Sequence, residues 1–360
     1  MKICLLVKSF DNPNGITRCA RGLEESDSRF SLLEYKKKVF AKGPLAKITR
    51  YTFDEVLDAA AISNLDADIL LPMTPVETIP IFLRGGRPQG VIIFDMLHWL
   101  PWRDKSSYLF RMYSFILRRY DVAAYKYSSQ VFCVSDFVRN QLIHQFGNRS
   151  NLRIVTPGLT QSFIQSAQFA KKESEQKPYQ RDRSLSLLMV PGALTPDEGM
   201  EGTIEALGMV KKKNSGGKIS LTLVASRRLE FYPYLKALAN SRGVELELAI
   251  SPTDLQLLHL YASSDIFVHA GNDDWFHYTP LEAMACGVPT VFATDLPTVG
   301  IFEGAVCTAR FNDPTTICRA VLAAGFDEKV RSDIITKGTE VVDESSMRIA
   351  ASKIYDALNS

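Results

Sequence analysis

The sequence of 360 residues carries 42 basic and 40 acidic residues, a formal net charge of +2 and 46% hydrophobic residues. This length suits two globular domains, and the near balance of charge argues against a dedicated nucleic-acid-binding protein. No apolar run approaches the roughly 18 to 20 residues that span a bilayer. The first residues show no signal-peptide pattern, so we expect a cytoplasmic protein.

Short apolar runs alternate with longer helical patterns along the chain. The first half contains predicted strands at 2–9, 67–73, 90–96, 130–135 and 152–158, and its clearest helix covers 104–127. The second half contains predicted strands at 185–194, 219–226, 244–250, 265–271 and 288–294, and a last helix near 345–358. Such alternation is typical of parallel α/β sheets, whose strands are buried on both faces and are apolar throughout.

A polar, charged segment separates the two groups of predicted strands. We therefore predict an α/β protein with two Rossmann-like domains that face a cleft, at 1–165 and 185–340, joined by an exposed linker at 166–184. The remaining residues, 341–360, are predicted as a carboxyl-terminal helix that is a candidate to pack back toward the first domain. In such folds ligands bind where the carboxyl ends of the strands meet the cleft.

The segment most informative about function runs from Asp273 to Pro289 and follows a predicted strand. Thr279, Pro280 and Glu282 fit a capping box with proline at the first helical position, which is an ordinary way to begin a helix. A helix amino terminus that follows a strand is also a favourable site for a phosphate or for hydroxyl groups. The residues alone leave both interpretations open.

The run PLEAMACGVPTV at 280–291 resembles the carboxyl-terminal signature of GT-B glycosyltransferases of the family-four type, in which two acidic residues separated by seven positions flank a glycine-containing loop. Weaker matches follow in the family's order: the glycine turn after the first strand (Asn14-Gly15-Ile16), the His-Asp segment (Phe94-Asp95), and later strand–helix junctions at 134–142 and 156–163. The resemblance covers nearly the whole chain and implies the GT-B arrangement of the two domains.

This resemblance implies a glycosyltransferase that moves a sugar from a nucleotide-sugar to a glycan or lipid-linked acceptor, with retention of anomeric configuration. Glu282 would bind the nucleotide ribose, and Asp274 would act at the donor sugar. Further donor-binding positions are predicted at Gly15, Gly192, Phe276, His277, Tyr278, Thr279 and Leu281. We expect no cofactor and no required metal, because no acidic metal-binding pair stands in the expected context and the six cysteines are scattered.

The chain departs from the family at the turn that normally supplies an Arg and a Lys to the donor diphosphate. This turn reads GALTPDEG at 192–199, so Ala193 and Glu198 stand where the cations are expected. A carboxylate beside a diphosphate is repulsive, and such cations contribute strongly to transition-state stabilisation. The histidine expected before Asp95 is Phe94. Either the site has been rebuilt, or the chain is a catalytically inactive subunit that recognises an acceptor or assists an active glycosyltransferase.

Several residues are candidates for a rebuilt site. Arg227 and Arg228 follow a predicted strand at its carboxyl end, where a cation could face the donor, although a solvated loop is an equal alternative. His98 is a candidate for the catalytic role on the acceptor side. The two tryptophans of the same segment, Trp99 and Trp102, present flat apolar faces that suit a sugar acceptor, or else pack the loop onto its own domain.

The helix predicted after Trp102 is both basic and aromatic over residues 103–127. A helix of this composition can lie on an anionic membrane surface, beside a lipid-linked acceptor. The ordinary alternative is a core-packed helix with a solvated basic face. The sequence therefore predicts a cytoplasmic protein that is a candidate for peripheral contact with a membrane.

Overall fold

The computed structural model describes residues 1–9, 15–36, 67–94, 108–175, 184–214, 217–271, 278–293 and 297–360. The chain divides into two compact units. Met1–Thr160 and Ser346–Ser360 form the amino-terminal unit, and Gln161–Ser345 form the carboxyl-terminal unit. Each unit is a parallel α/β structure, as the alternating apolar runs predict.

The amino-terminal unit contains six parallel strands within the described residues. They are β1 (Ile3–Ser9), β2 (Phe30–Lys36), β3 (Ile69–Pro72), β4 (Gly90–Ile93), β5 (Gln130–Cys133) and β6 (Leu152–Ile154). The hydrogen-bonded orders are β2-β1-β3 and β4-β5-β6, and β3 contacts β4. Between the strands lie helices α1 (Gly15–Ser26), α2 (Ile79–Leu83), α3 (Tyr108–Tyr127) and α4 (Asp136–Phe146).

The carboxyl-terminal unit has one parallel sheet of six strands in the part of the chain that is described. The strands are β7 (Leu185–Ala193), β8 (Ile219–Arg227), β9 (Glu245–Ile250), β10 (Ile266–His269), β11 (Thr290–Ala293) and β12 (Val306–Ala309). The helices are α5 (Gln161–Glu175), α6 (Met200–Lys213), α7 (Tyr232–Arg242), α8 (Asp254–Ala262), α9 (Tyr278–Ala285), α10 (Pro314–Phe326) and α11 (Glu328–Glu344).

The strand order of this sheet is β12-β11-β10-β7-β8-β9. The chain enters in the middle at β7, runs outward to β9, and then returns to β10 on the other side of β7. The order therefore reverses between β7 and β10. In doubly wound sheets ligands bind at the carboxyl ends of the strands at such a switch point. Two apolar cores cover the sheet, one containing residues of α6, α7 and α10 and the other residues of α5, α8 and α9.

The structure contradicts the first part of the predicted linker, because residues 166–175 lie in helix α5 and belong to the carboxyl-terminal unit, whereas 176–183 lie outside the described residues. The buried residues of α5 are Ile164, Ala167 and Ala170, which recur every three positions. Two of these three are alanines, so the buried face gives a weak hydrophobic signal beside the polar residues around it. The boundary between the units accordingly falls after Thr160 rather than after residue 165.

The last helix, α12 (Met347–Leu358), belongs to the amino-terminal unit although its sequence neighbours belong to the other. The backbone N–H of Met347 donates to the carbonyl of Leu159 at 3.0 Å. The Met347 side chain packs closely on Gly22, since a Cβ added to this glycine would lie only 2.8 Å from the Met347 methyl carbon. The Arg29 guanidinium stacks 3.6 Å from the centre of the Tyr355 ring. Close packing on α1 and a cation–π contact thus hold the end of the chain on the first unit.

Candidate active site

The candidate site begins at the switch point, where the loop after β7 meets the end of β10. Gly199 in this loop has φ +66°, and a Cβ there would overlap the carbonyl oxygen of Ala270. Only glycine combines this backbone conformation with so close an approach. Gly192, one of the predicted donor-binding residues, also has a left-handed φ of +70° and lies at an irregularity in the pairing of β7 with β8. These two glycines shape the loop that replaces the family's phosphate-binding turn.

Glu198 reaches the carboxyl end of β10. Its Oε2 atom lies 3.4 Å from the position that a Cβ on Gly271 would take, and the Nε2 atom of His269 lies 3.7 Å from the same position. The two side chains therefore converge on Gly271. The carboxylate that replaces an expected cation lies inside the switch point, so the reversal of charge affects the site itself.

His269 is a site residue that the sequence analysis did not identify. It is the last residue of β10 and is only 8% exposed, and its ring packs 4.7 Å from the ring of Phe292. The sequence feature that could have identified it is its position at the end of the apolar strand DIFVH, which is an unusual place for an ionisable group.

Glu282 lies on the other side of the switch point, on α9. Its side chain is 0% exposed, and the hydroxyl of Tyr261 donates to its Oε2 atom at 2.9 Å. Tyr261 is itself fully buried on α8, with its ring 5.5 Å from that of Phe267. A buried carboxylate is costly unless it is hydrogen-bonded, so this bond holds Glu282 in one place among apolar neighbours.

The predicted capping box is wrong. Helix α9 begins at Tyr278, which places Thr279 inside the first turn and not before it. Tyr278 and Leu281 are buried and Thr279 is half-buried. The first turn of this helix is therefore embedded in the unit.

The two arginines at the end of β8 differ in their surroundings, although both are exposed. The carbonyl of Arg227 accepts from the backbone N–H of Leu194 at 3.0 Å, which places Arg227 next to the loop that carries Glu198. Arg228 has φ 59° and pairs with Glu230 at 3.6 Å on the surface. Arg227 is therefore the better placed of the two for a ligand at the switch point.

The remaining predicted residues are not brought together by the described structure. Gly15 is the first residue of α1 in the amino-terminal unit. The others lie outside the described residues, and their roles stay predictions: Asp274, His98, Phe276, His277, Trp99 and Trp102. Within the described ranges, no three His, Cys, Asp or Glu side chains cluster in a way that would hold a metal ion.

Cys286 is the thiol closest in sequence to Glu282. Burial raises the pKa of this thiol to about 12, and the negative charge of Glu282 contributes to the increase. A thiol with so high a pKa stays protonated at neutral pH and is a poor nucleophile. Cys286 is therefore a packing residue.

Two parallel α/β units, the second with its loops gathered at a switch point, define the GT-B class of glycosyltransferase folds. Residues 171–340 match the family model described as Glycosyl transferases group 1. The resemblance to GT-B glycosyltransferases and the α/β class with two Rossmann-like units are thereby confirmed. No curated protein sequence matches the chain significantly.

Solved structures with the same fold align with nearly the whole chain. HepE of Anabaena in complex with UDP and glucose is 15% identical, with a TM-score of 0.72 over 100% of both chains. Sucrose-phosphate synthase from Thermosynechococcus elongatus is 12% identical, with a TM-score of 0.76 over 99% of this chain and 97% of its own. A glycosyltransferase from Rickettsia africae is 15% identical, with a TM-score of 0.66 and the same coverage. At these identities the likeness establishes the fold.

Proposed function

We propose that the protein transfers a sugar from a nucleotide-sugar, held by the carboxyl-terminal unit, to a glycan or lipid-linked acceptor. The observation that carries this proposal is the match of residues 171–340 to the glycosyltransferase family model, within which Glu282 stands at the acidic position of the signature and accepts a hydrogen bond from Tyr261. HepE has been solved with UDP and with UDP-glucose, which makes uridine diphosphate sugars the first donors to test.

In the proposed complex each part of the donor meets a different part of the site. The Glu282 carboxylate accepts hydrogen bonds from the ribose hydroxyls, since an ionised carboxylate is an acceptor only. Asp274 and the backbone of 276–281 hold the sugar, with His98 on the acceptor side. Transfer proceeds with retention, as the family resemblance implies. Arg227, whose backbone carbonyl accepts a hydrogen bond from Leu194 of the altered loop, stabilises the leaving diphosphate.

Glu198 would weaken this binding, because its carboxylate lies beside Gly271 at the switch point, and ligands of doubly wound sheets bind at that edge. Two unit charges about 4 Å apart repel by roughly 1 kcal/mol in water and about 4 kcal/mol at an effective dielectric constant of 20. We therefore expect donor affinity in the micromolar to millimolar range rather than tighter binding.

Isothermal titration of the full chain with UDP, GDP, ADP and their glucose conjugates tests the proposal. We expect one nucleotide to bind, with affinity lost at least about tenfold in Glu282→Gln, because the amide keeps the shape but presents its NH2 group to one hydroxyl. Glu303→Gln, at an exposed position, is the matched control and should bind as the wild type does. Absence of binding to every nucleotide, or wild-type affinity in a folded Glu282→Gln variant, would overturn the proposal.

The second candidate function is an inactive GT-B subunit that recognises an acceptor or assists an active enzyme. The position of Glu198 beside Gly271 favours it, because that carboxylate opposes binding of a diphosphate. Incubation of the purified chain with UDP-glucose distinguishes the candidates. Release of UDP that disappears in an Asp274→Ala variant supports the enzyme, whereas nucleotide binding without turnover supports the subunit.

A further inference from the structure

The exposed face of helix α3 carries both basic and large apolar side chains. From residue 114 onward, its exposed residues include Phe115, Arg119, Val122 and Lys126, which recur at intervals of four, three and four and therefore share one side of the helix. Phe115 is 58% exposed and Val122 is 38% exposed. The opposite side is anchored in the unit through Leu117, Ala124 and Tyr125, which are at most 3% exposed.

The charges on this outward face are all positive. Arg119 and Lys126 are exposed and Arg118 is half-buried beside them, whereas Asp121, the single acidic residue of α3, is only 5% exposed. The Arg119 guanidinium lies 5.1 Å from the centre of the Phe115 ring, and the Lys126 ammonium lies 5.4 Å from that of Tyr127. Cations and aromatic rings thus stand side by side along the helix.

The same character continues onto the neighbouring helix α2. Tyr127, 47% exposed, meets the ring of Phe82 edge-on, with 6.1 Å between ring centres. The next residue, Leu83, is 56% exposed, and Arg84 and Arg87 follow it at exposed positions. We call the basic–apolar surface the set Leu83, Arg84, Arg87, Phe115, Arg119, Val122, Lys126 and Tyr127. It contains four cations and four large apolar side chains.

We propose that this basic–apolar surface docks the protein on an anionic lipid membrane. Long basic side chains can hold their charges among lipid phosphates while their stems and neighbouring rings enter the boundary of the acyl chains. Anionic lipids attract each Lys or Arg near the membrane surface. A second copy of the chain would present the same positive charges and be repelled. The described face is a convex helix rather than a groove, which favours a lipid surface over a folded acidic protein.

No described helix is both long enough and apolar enough to cross a bilayer, and the proposed contact is peripheral. Binding by cations and a few apolar side chains is reversible and depends on salt, because screening shortens the range of the attraction. The surface is independent of the donor site. Its test and the nucleotide titration can therefore fail separately.

Vesicle co-sedimentation of the full chain tests the proposal, using phosphatidylcholine vesicles with and without phosphatidylglycerol at low and high salt. We expect binding to the anionic vesicles at low salt and release at high salt. Arg119→Gln/Lys126→Gln should weaken this binding at least about fivefold, and Phe115→Ser should weaken it without changing net charge. Lys329→Gln/Lys337→Gln removes the same charge from exposed positions on α11 and should bind as the wild type does.

Thermal unfolding should be unchanged in all three variants, because the substituted side chains are exposed, and this keeps folding defects apart from binding defects. Three results would overturn the proposal: no binding to anionic vesicles at low salt, equal binding by the wild type and the α3 variants, or equal loss in the α11 control. The first result would favour an acidic protein, rather than a membrane, as the partner of this surface.

Discussion

The two sides of the switch point in the carboxyl-terminal unit differ in how closely they keep the family pattern. On the α9 side, Glu282 stands at the second acidic position of the signature and is fully buried against Tyr261. On the side of the β7–α6 loop, Glu198 stands where a cation is expected and is half-buried. A buried residue is constrained by packing as well as by any ligand, whereas a loop residue is constrained mainly by the ligand. The buried side of the switch point therefore keeps the acidic residue of the signature, whereas the loop side departs from the family pattern.

Glu282→Ala should give the largest effect, because it leaves the hydroxyl of Tyr261 buried without this acceptor. We expect the free energy of unfolding to fall by about 2–3 kcal/mol, measured by chemical denaturation. In a Tyr261→Phe background the same substitution should cost roughly 1–2 kcal/mol less, since no hydroxyl is left behind. Additive effects in the double variant would show that the hydrogen bond between Tyr261 and Glu282 contributes little to the free energy of unfolding.

Gly199→Ala tests whether the loop side is shaped by close backbone approach. The left-handed φ alone should cost about 1 kcal/mol for alanine, and the overlap with Ala270 should add roughly 1–2 kcal/mol in strain. Gly304→Ala is the matched control, because Gly304 also has a left-handed φ of +77° but an added Cβ would meet no atom within 4 Å. Equal losses of stability in the two variants would count against a tightly packed loop.

Glu198→Gln should improve nucleoside diphosphate affinity by roughly tenfold, since it removes one negative charge at the switch point. Asp197→Asn changes the adjacent, exposed carboxylate and should alter affinity little. Both are measured by titration with the nucleotide that the wild type binds. If Glu198→Gln binds no better than Asp197→Asn, the diphosphate lies elsewhere and the two sides are less different than their charges suggest.

The smallest effect is expected at the end of β8. Arg227→Gln should weaken diphosphate affinity by about threefold, because the side chain is exposed and its charge is screened. Arg228→Gln should change it less, since Arg228 already pairs with Glu230 and exposed ion pairs contribute little. A larger loss at Arg228 would reverse our ranking of these two candidates.

Long-range packing explains most differences between the predicted and observed elements. Strands buried on both faces, such as β1 and β4, were predicted because each is an apolar run. Strand β2 was not predicted, because it reads FSLLEYK with polar residues interspersed, and neither was β12, of which only the first residue is buried. Helix α5 was taken for a linker because its buried residues are mostly alanines. Each of these elements depends on neighbours that are distant in sequence.

The sequence by itself determined the parallel α/β class, the two Rossmann-like units and the position of the glycosyltransferase signature, because these follow from apolar runs and from residues close together in the chain. The tertiary structure alone decided that Tyr261 holds Glu282, that Glu198 and His269 converge on Gly271, and that the last helix returns to the first unit. Tyr261 and Glu282 are 21 positions apart, and Glu198 lies still further from His269 along the chain. Local pattern carries no information about such pairs, since it is the topology of the sheet that brings strand ends together.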